Sequence, residues 1–252
     1  DKMPKISLEG FVKNETKNDK AALYTAVKTY ERKDKALEIK LAGEIHFGEK
    51  QYFKDLVDEL APLDKILYEM IVPSKLSWGE KLSLSYLFYK SVHKYYQSIK
   101  ENLDVTFRGE VFNEVIENDA QNGKKWEHCD ISLKEFINYD KDSNEKALYA
   151  LTILTGPLAR KMNKKMPEKV KQYMILNIEE GLKKAKFGKT IIDIRNAKVK
   201  SRLDELYKTS SNYRIGIIYG AGHMPDFEDH ITNSLGFKKK EEKWLKAFES
   251  KL

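Results

Sequence analysis

A single cysteine, Cys129, in 252 residues rules out an internal disulfide and a cysteine-rich zinc site. Also missing are the phosphate loop Gly-x-x-x-x-Gly-Lys, the dinucleotide fingerprint Gly-x-Gly-x-x-Gly, the zinc helix His-Glu-x-x-His and the nucleophile elbow Gly-x-Ser-x-Gly. Each pattern puts specific groups on a phosphate, a metal or a strained turn, so ordinary nucleotide kinases, nicotinamide enzymes, zincins and serine hydrolases are disfavoured. No apolar run approaches the roughly 20 residues needed to span a bilayer, and no low-complexity tract appears. Charge of one sign is not concentrated either. The net +7 comes from 46 basic against 39 acidic residues, mostly interspersed lysines, which argues for a solvated surface and against a nucleic-acid groove. The chain opens at Asp1 instead of methionine and reads as a processed or trimmed form. A secreted or cell-envelope location is expected over a cytoplasmic one, with any membrane association through segments outside this chain.

What the sequence does contain is a pair of Gly-x-x-His turns, Gly43-Glu44-Ile45-His46 and Gly220-Ala221-Gly222-His223, each closing an apolar run. The runs, 37–42 and 215–219, have strand character, and Tyr52 to Leu60 and Phe227 to Leu235 follow at helical spacing. Both units therefore read as strand, glycine turn, helix. Ligands of open α/β sheets collect at the carboxyl ends of strands, where glycine lets the backbone turn sharply. Two histidines in that context form a candidate active site.

The expected organisation is a single domain, 1–252, with a helical cap inserted at about 76–186. The first half reads β-β-α-β, with a polar loop at 14–20, a charged hairpin turn at 31–35 and a buried strand from Lys65 to Val72 stopped by Pro73. Leu82, Tyr86, Tyr89, Val92, Tyr96 and Ile99 then form a stripe at three- and four-residue steps. Two short apolar runs, Val105 to Phe107 and Trp126 to Ile131, can each add a strand. A helix from Lys189 to Tyr207 precedes the second histidine strand, and Trp244, Leu245, Phe248 and Leu252 suggest an amphipathic helix at the end.

His46 and His223 suit a divalent metal or general-base work. Glu69 lies among apolar neighbours, where a carboxylate is costly without a partner, so it either ends a strand in water or is aimed into the crevice as a ligand or water-polarising group. Glu44 is a second carboxylate candidate. Arg195, in an apolar stretch, is expected in a buried salt bridge with Glu69 or Asp130, or facing an oxyanion. Asp130 is either a metal ligand or part of an N-cap for a helix from Ser132 to Tyr139. Cys129 reads as a buried small residue, His93 as a packed or surface histidine and His230 as solvated.

Taken in order, Gly43-Glu44-Ile45-His46-Phe47-Gly48, Tyr68-Glu69, Asp130-Ile131-Ser132, Arg195-Asn196, Ile217 through Met224 and Leu235-Gly236-Phe237 resemble the TraB/PrgY/GumN family, which includes the Tiki metalloproteases. The resemblance spans roughly Leu37 to Phe237 and is most specific at the two histidine turns and at Arg195-Asn196. It implies an α/β fold of the erythromycin esterase/ChaN kind: a central mixed sheet built from two related β-α halves, with a helical cap insertion. It further implies a hydrolase dependent on manganese, cobalt or zinc and acting on peptide or protein. Catalytic roles would fall to Glu44, His46, Glu69, Arg195 and His223, and metal ligation to His46, Glu69, His223 and Asp130. Two other functions are compatible with the same residues: a metal-independent esterase using His46 as base, and a non-catalytic protein whose cleft holds haem, a peptide or a signalling molecule.

Overall fold

The structure, a computed structural model, describes residues 10–32, 34, 36–123, 125–139, 146–184, 189–209 and 212–252, the side chains of 179–184, 189–191 and 212 excepted. In chain order the elements are β1 (Val12–Lys17), β2 (Lys20–Arg32), β3 (Ala36–Glu44), β4 (Phe47–Gly48), α1 (Lys50–Leu60), β5 (Lys65–Tyr68), α2 (Trp78–Lys81), α3 (Leu84–Asn102), β6 (Thr106–Phe107), α4 (Gly109–Asn122), β7 (Trp126–His128), α5 (Leu133–Tyr139), α6 (Lys146–Lys165), α7 (Pro167–Lys184), α8 (Lys189–Thr209), β8 (Asn212–Gly220), α9 (Met224–Asp229) and β9 (Lys238–Lys251). A 3-10 turn at Ala221–His223 and a π-helical turn at His230–Ser234 flank α9.

Seven strands make one mixed sheet in the order β1-β2-β3-β8-β5-β7, with β9 on the other edge of β2. The long β2 carries β1 against Lys20 to Thr25 and β3 against Val27 to Arg32 on one edge, and β9 along Lys20 to Glu31 on the other. These pairings are antiparallel, whereas β3, β8, β5 and β7 run parallel. The run Ile215 to Tyr219 is buried at every position, as a central parallel strand covered on both faces requires. Helix α1 turns Tyr52, Phe53, Leu56 and Leu60 into the core.

Three sequence expectations change. The segment 14–20 is not a polar loop: β1 runs to Lys17 and pairs with β2, and Asn18 and Asp19, both at positive φ, form the two-residue turn that suits a right-twisted hairpin. The buried strand ends at Tyr68, short of Val72, because the chain leaves the sheet to turn Glu69 inward, keeping only an isolated bridge from Val72 to Ser132. The terminal amphipathic helix is the 14-residue strand β9. A register shift opposite Leu23 and Tyr24 inserts Ala247 as an extra residue, so Leu245, Ala247 and Phe248 are all buried. That bulge breaks the two-residue alternation and imitates a helical period.

Within 76–186, β7 joins the central sheet beside β5 and α7 packs on β9, β1 and β2. Helices α3 and α6 pair with each other and, with α5, face the carboxyl ends of the parallel strands. Residues 185 and 186 lie outside the described residues.

Candidate functional site

The parallel register decides where the chemistry collects. Glu44, the last residue of β3, is level with Gly220 of β8, and Tyr68 of β5 is level with Ile218. The Glu69 amide still donates to the Ile218 carbonyl at 3.1 Å, and the Cys129 amide, just past β7, donates to the Tyr68 carbonyl at 3.2 Å. Four neighbouring strands therefore finish at one level and deliver Glu44 and His46, His223, Glu69, and Asp130 to one crevice. A Cβ added to Gly220 would lie 3.4 Å from Glu69 Oε2, 3.7 Å from His223 Cδ2 and 4.0 Å from His46 Cε1.

Glu69 and Asp130 are buried and share one cation. Arg195, projecting from α8, donates from Nη2 to Glu69 Oε1 at 2.5 Å, and from Nε and Nη2 to the two Asp130 oxygens at 2.8 and 2.7 Å. The second Glu69 oxygen accepts from the Gly220 amide at 2.5 Å. Burial alone would raise the Glu69 pKa, but the guanidinium of Arg195, with Arg108 further off, outweighs it and holds the carboxyl well below the usual range. Asp130 Oδ1 also accepts from the Ile131 amide at 2.7 Å. Both oxygens of Asp130 are thus committed within the protein, and it does not join the side chains whose ligand atoms converge. The cap of α5 is Ser132, whose side chain bonds the Glu135 amide while Glu135 bonds back.

Arg108, at the start of α4, is a member of the site that sequence reasoning missed. It ion-pairs through Nη1 with Glu44 Oε1 and through Nη2 reaches the Glu69 carbonyl, while its amide donates to the His46 carbonyl at 3.2 Å. A signal was present: only six residues of this lysine-dominated chain are arginine. One inside the apolar run Val105 to Phe107 and Gly109 is out of character for a solvated surface.

Glu44, His46 and Glu69 each offer a ligand atom, and these atoms all lie within 4.8 Å of one another. His46 Nδ1 is 3.5 Å from Glu44 Oε1 and makes no hydrogen bond to it. Glu44 Oε2 and His46 Nδ1 are the two buried side-chain polar atoms with no hydrogen-bond partner among the described residues. Such atoms cost about 1–3 kcal/mol each when nothing meets them.

His223 is set by a relay. Lys200 Nζ donates to Asp226 Oδ1 at 2.6 Å, and Asp226 Oδ2 accepts from Asn196 Nδ2 at 2.7 Å. This fixes the Asn196 amide so that its Oδ1 faces His223 Nδ1 at 2.6 Å. An acceptor there requires the proton on Nδ1, leaving the Nε2 lone pair free to face Glu69, whose Oε1 is 4.0 Å away. Burial lowers the His223 pKa from 6.5 to about 4, with the nearby Glu69 charge opposing, so the ring is neutral at physiological pH.

Above the crevice lies a cavity of about 650 Å³. His46, Glu69, Arg108 and Arg195 line its polar end, and Tyr89, Val92 and Tyr96 of the α3 stripe line its wall with Phe88, Phe136 and Tyr149. His93 lines the cavity beside Tyr89. Cys129 is buried and its thiol is pushed up to about 12 by that burial, which removes it as a nucleophile. His230, expected in solvent, is largely buried and held 2.8 Å from Asp204 Oδ1. Comparison of the chain with protein-family models, curated proteins and solved structures finds no match. The functional reading therefore stands on the site itself.

Proposed function

We propose that the chain is a divalent-metal-dependent hydrolase, a metallopeptidase of the Tiki kind, in which Glu44, His46 and Glu69 would hold the ion and His223 would face it from the Gly220 turn. The observation that carries the reading is the unpartnered pair: Glu44 Oε2 and His46 Nδ1, buried, and on side chains whose ligand atoms converge with those of Glu69. Burying two such atoms and also a neutral imidazole with its lone pair inward is expensive unless something binds there. Imidazole with carboxylate suits manganese, cobalt and zinc alike. A bound divalent ion would supply a water ionised near neutral pH and would polarise a carbonyl.

The protein's own groups have distinct tasks. Arg195 and the Gly220 amide hold the Glu69 carboxylate in place, and Arg108 fixes Glu44 through its ion pair. The Lys200–Asp226–Asn196 relay keeps the Nε2 lone pair of His223 directed inward. Arg195 also lines the cavity, where its charge would stabilise an oxyanion formed on a substrate carbonyl. The apolar wall excludes water and would seat a substrate side chain. The strand, turn and helix recurring at β3–α1 and β8–α9 support two related halves in the fold.

The test is metal content and peptide cleavage of the wild type and His46→Ala, each with and without chelator. Stoichiometric metal and cleavage in the wild type, both lost in His46→Ala, are expected. Equal cleavage in both proteins would remove His46 from the mechanism, and cleavage indifferent to chelator would favour metal-independent ester or amide hydrolysis. The aromatic wall favours a second reading, a non-catalytic binding cleft. Ligand retention with no turnover across a peptide library would select it.

A further inference from the structure

Helix α6 turns an apolar face to the surface. Its inner face, against α3, stacks Tyr149 on Phe88 with ring centroids 4.1 Å apart and is otherwise small and polar: a Cβ on Gly156 would meet Ser91 Oγ at 2.8 Å, and Asn163 Nδ2 donates to Ser98 Oγ at 3.3 Å. Its outer face carries Leu151, Leu154, Leu158 and Met162 at steps of three and four, opposite the buried Tyr149, Gly156 and Asn163. Leu154 is 77% exposed, Leu158 62% and Leu151 56%. Single exposed leucines are ordinary, but a continuous stripe on one helix marks a contact surface. Close approach through small residues with hydrogen bonds between helices, and leucine outward, is how helices pack when lipid surrounds them.

The charge on the helix says what the contact is. Its 20 residues include Lys146, Arg160, Lys161, Lys164 and Lys165 and no aspartate or glutamate, in a chain where acidic and basic residues are otherwise interspersed. We propose that the outer face of α6 lies on an anionic lipid bilayer, its leucines and Met162 entering the acyl boundary and its lysines meeting the headgroups. No helix among the described residues is long and apolar enough to cross a membrane, so α6 would lie in the interface plane. This inference is independent of the hydrolase reading, because none of the four outer-face residues lines the cavity.

Co-sedimentation of the chain with vesicles of phosphatidylcholine alone, or with one quarter phosphatidylglycerol, tests it. The wild type is expected to pellet with the anionic vesicles, less so as salt rises, and weakly with neutral ones. Leu154→Glu/Leu158→Glu should lower the partition coefficient at least about tenfold, since two buried leucines are lost. Lys161→Gln/Lys165→Gln should erase the preference for anionic lipid. Both pairs are exposed, and an unchanged circular dichroism spectrum will establish that the variants fold. Failure of the wild type to pellet with either vesicle, or undiminished binding by the leucine variant, would overturn the proposal. So would a wild-type dimer that binds no vesicle and that Leu154→Glu/Leu158→Glu converts to monomer, since a second copy would then be the occupant.

Discussion

At the scale of single residues, Arg195 is the group whose loss should be felt most. It is the shared counter-charge of two buried carboxylates, and Arg195→Met would leave Glu69 and Asp130 buried without it. Removing one partner of a buried pair costs about 3–5 kcal/mol, so the urea midpoint of the metal-free protein should fall by that equivalent. Arg195→Lys, which keeps the charge and loses the bidentate fork, should fall in between. An Arg195→Met variant as stable as the wild type would mean that the pair is solvated. Asn196→Leu makes a subtler prediction. Without the Oδ1 acceptor, nothing holds the His223 proton on Nδ1, and ¹⁵N spectra should change from one tautomer to a mixture. The histidines were legible as residues because each follows a glycine at the end of an apolar run. Arg108 was not, because its role depends on Glu44 and Glu69, distant in sequence and adjacent only in the fold.

At the scale of elements, close approach explains where glycine is required and where it is not. Gly48 lies under the β9 bulge: an added Cβ would be 2.8 Å from the Ala247 carbonyl oxygen and 2.9 Å from Tyr52 Cδ1. The first of these is backbone and cannot rotate away. Gly48→Ala should therefore cost about 1–3 kcal/mol, as overpacking does. Gly79, inside α2, meets nothing within 4 Å, so Gly79→Ala should be neutral or stabilising by up to about 1 kcal/mol. Thermal melts of the two variants should move in opposite directions or, at the least, only Gly48→Ala should melt earlier. Periodicity found α1, α3 and β8 because each has one clear face or is wholly buried, whereas α8 puts Arg195 and Asn196 on its buried side among apolar residues. It failed at β9, where a single extra residue turns a two-residue alternation into an apparent helical one.

At the scale of the whole molecule, the buried site ties stability to pH. His223 has its pKa lowered from 6.5 to about 4, so between those values the unfolded chain takes up a proton that the folded one refuses. Its contribution is intact above about pH 6.5 and is lost as pH falls toward 4, about 3 kcal/mol in all. Glu69, held well below its ordinary value, acts in the same direction at lower pH: its stabilisation is present above the unfolded carboxyl range and is lost as acid protonates it in the fold. Urea midpoints measured in chelator from pH 7.5 to 4 should fall throughout, and His223→Gln should flatten the stretch from 6.5 to 4; an unaltered slope would exclude His223 as its source. By itself the sequence determined the α/β class, the two glycine turns, the residues flanking them and the absence of the common nucleotide and serine-hydrolase motifs, because these follow from local pattern and backbone chemistry. Only the tertiary structure decided that Glu44, His46, Glu69 and His223 meet. That depends on β8, made late in the chain, inserting between β3 and β5 in parallel register, so that strands far apart in sequence end at one level. That sheet set Asp130 beside Arg195, while the antiparallel pairing of β4 with β6, Phe47 opposite Phe107, brought Arg108 to Glu44; a buried carboxylate takes whichever cation the fold places beside it.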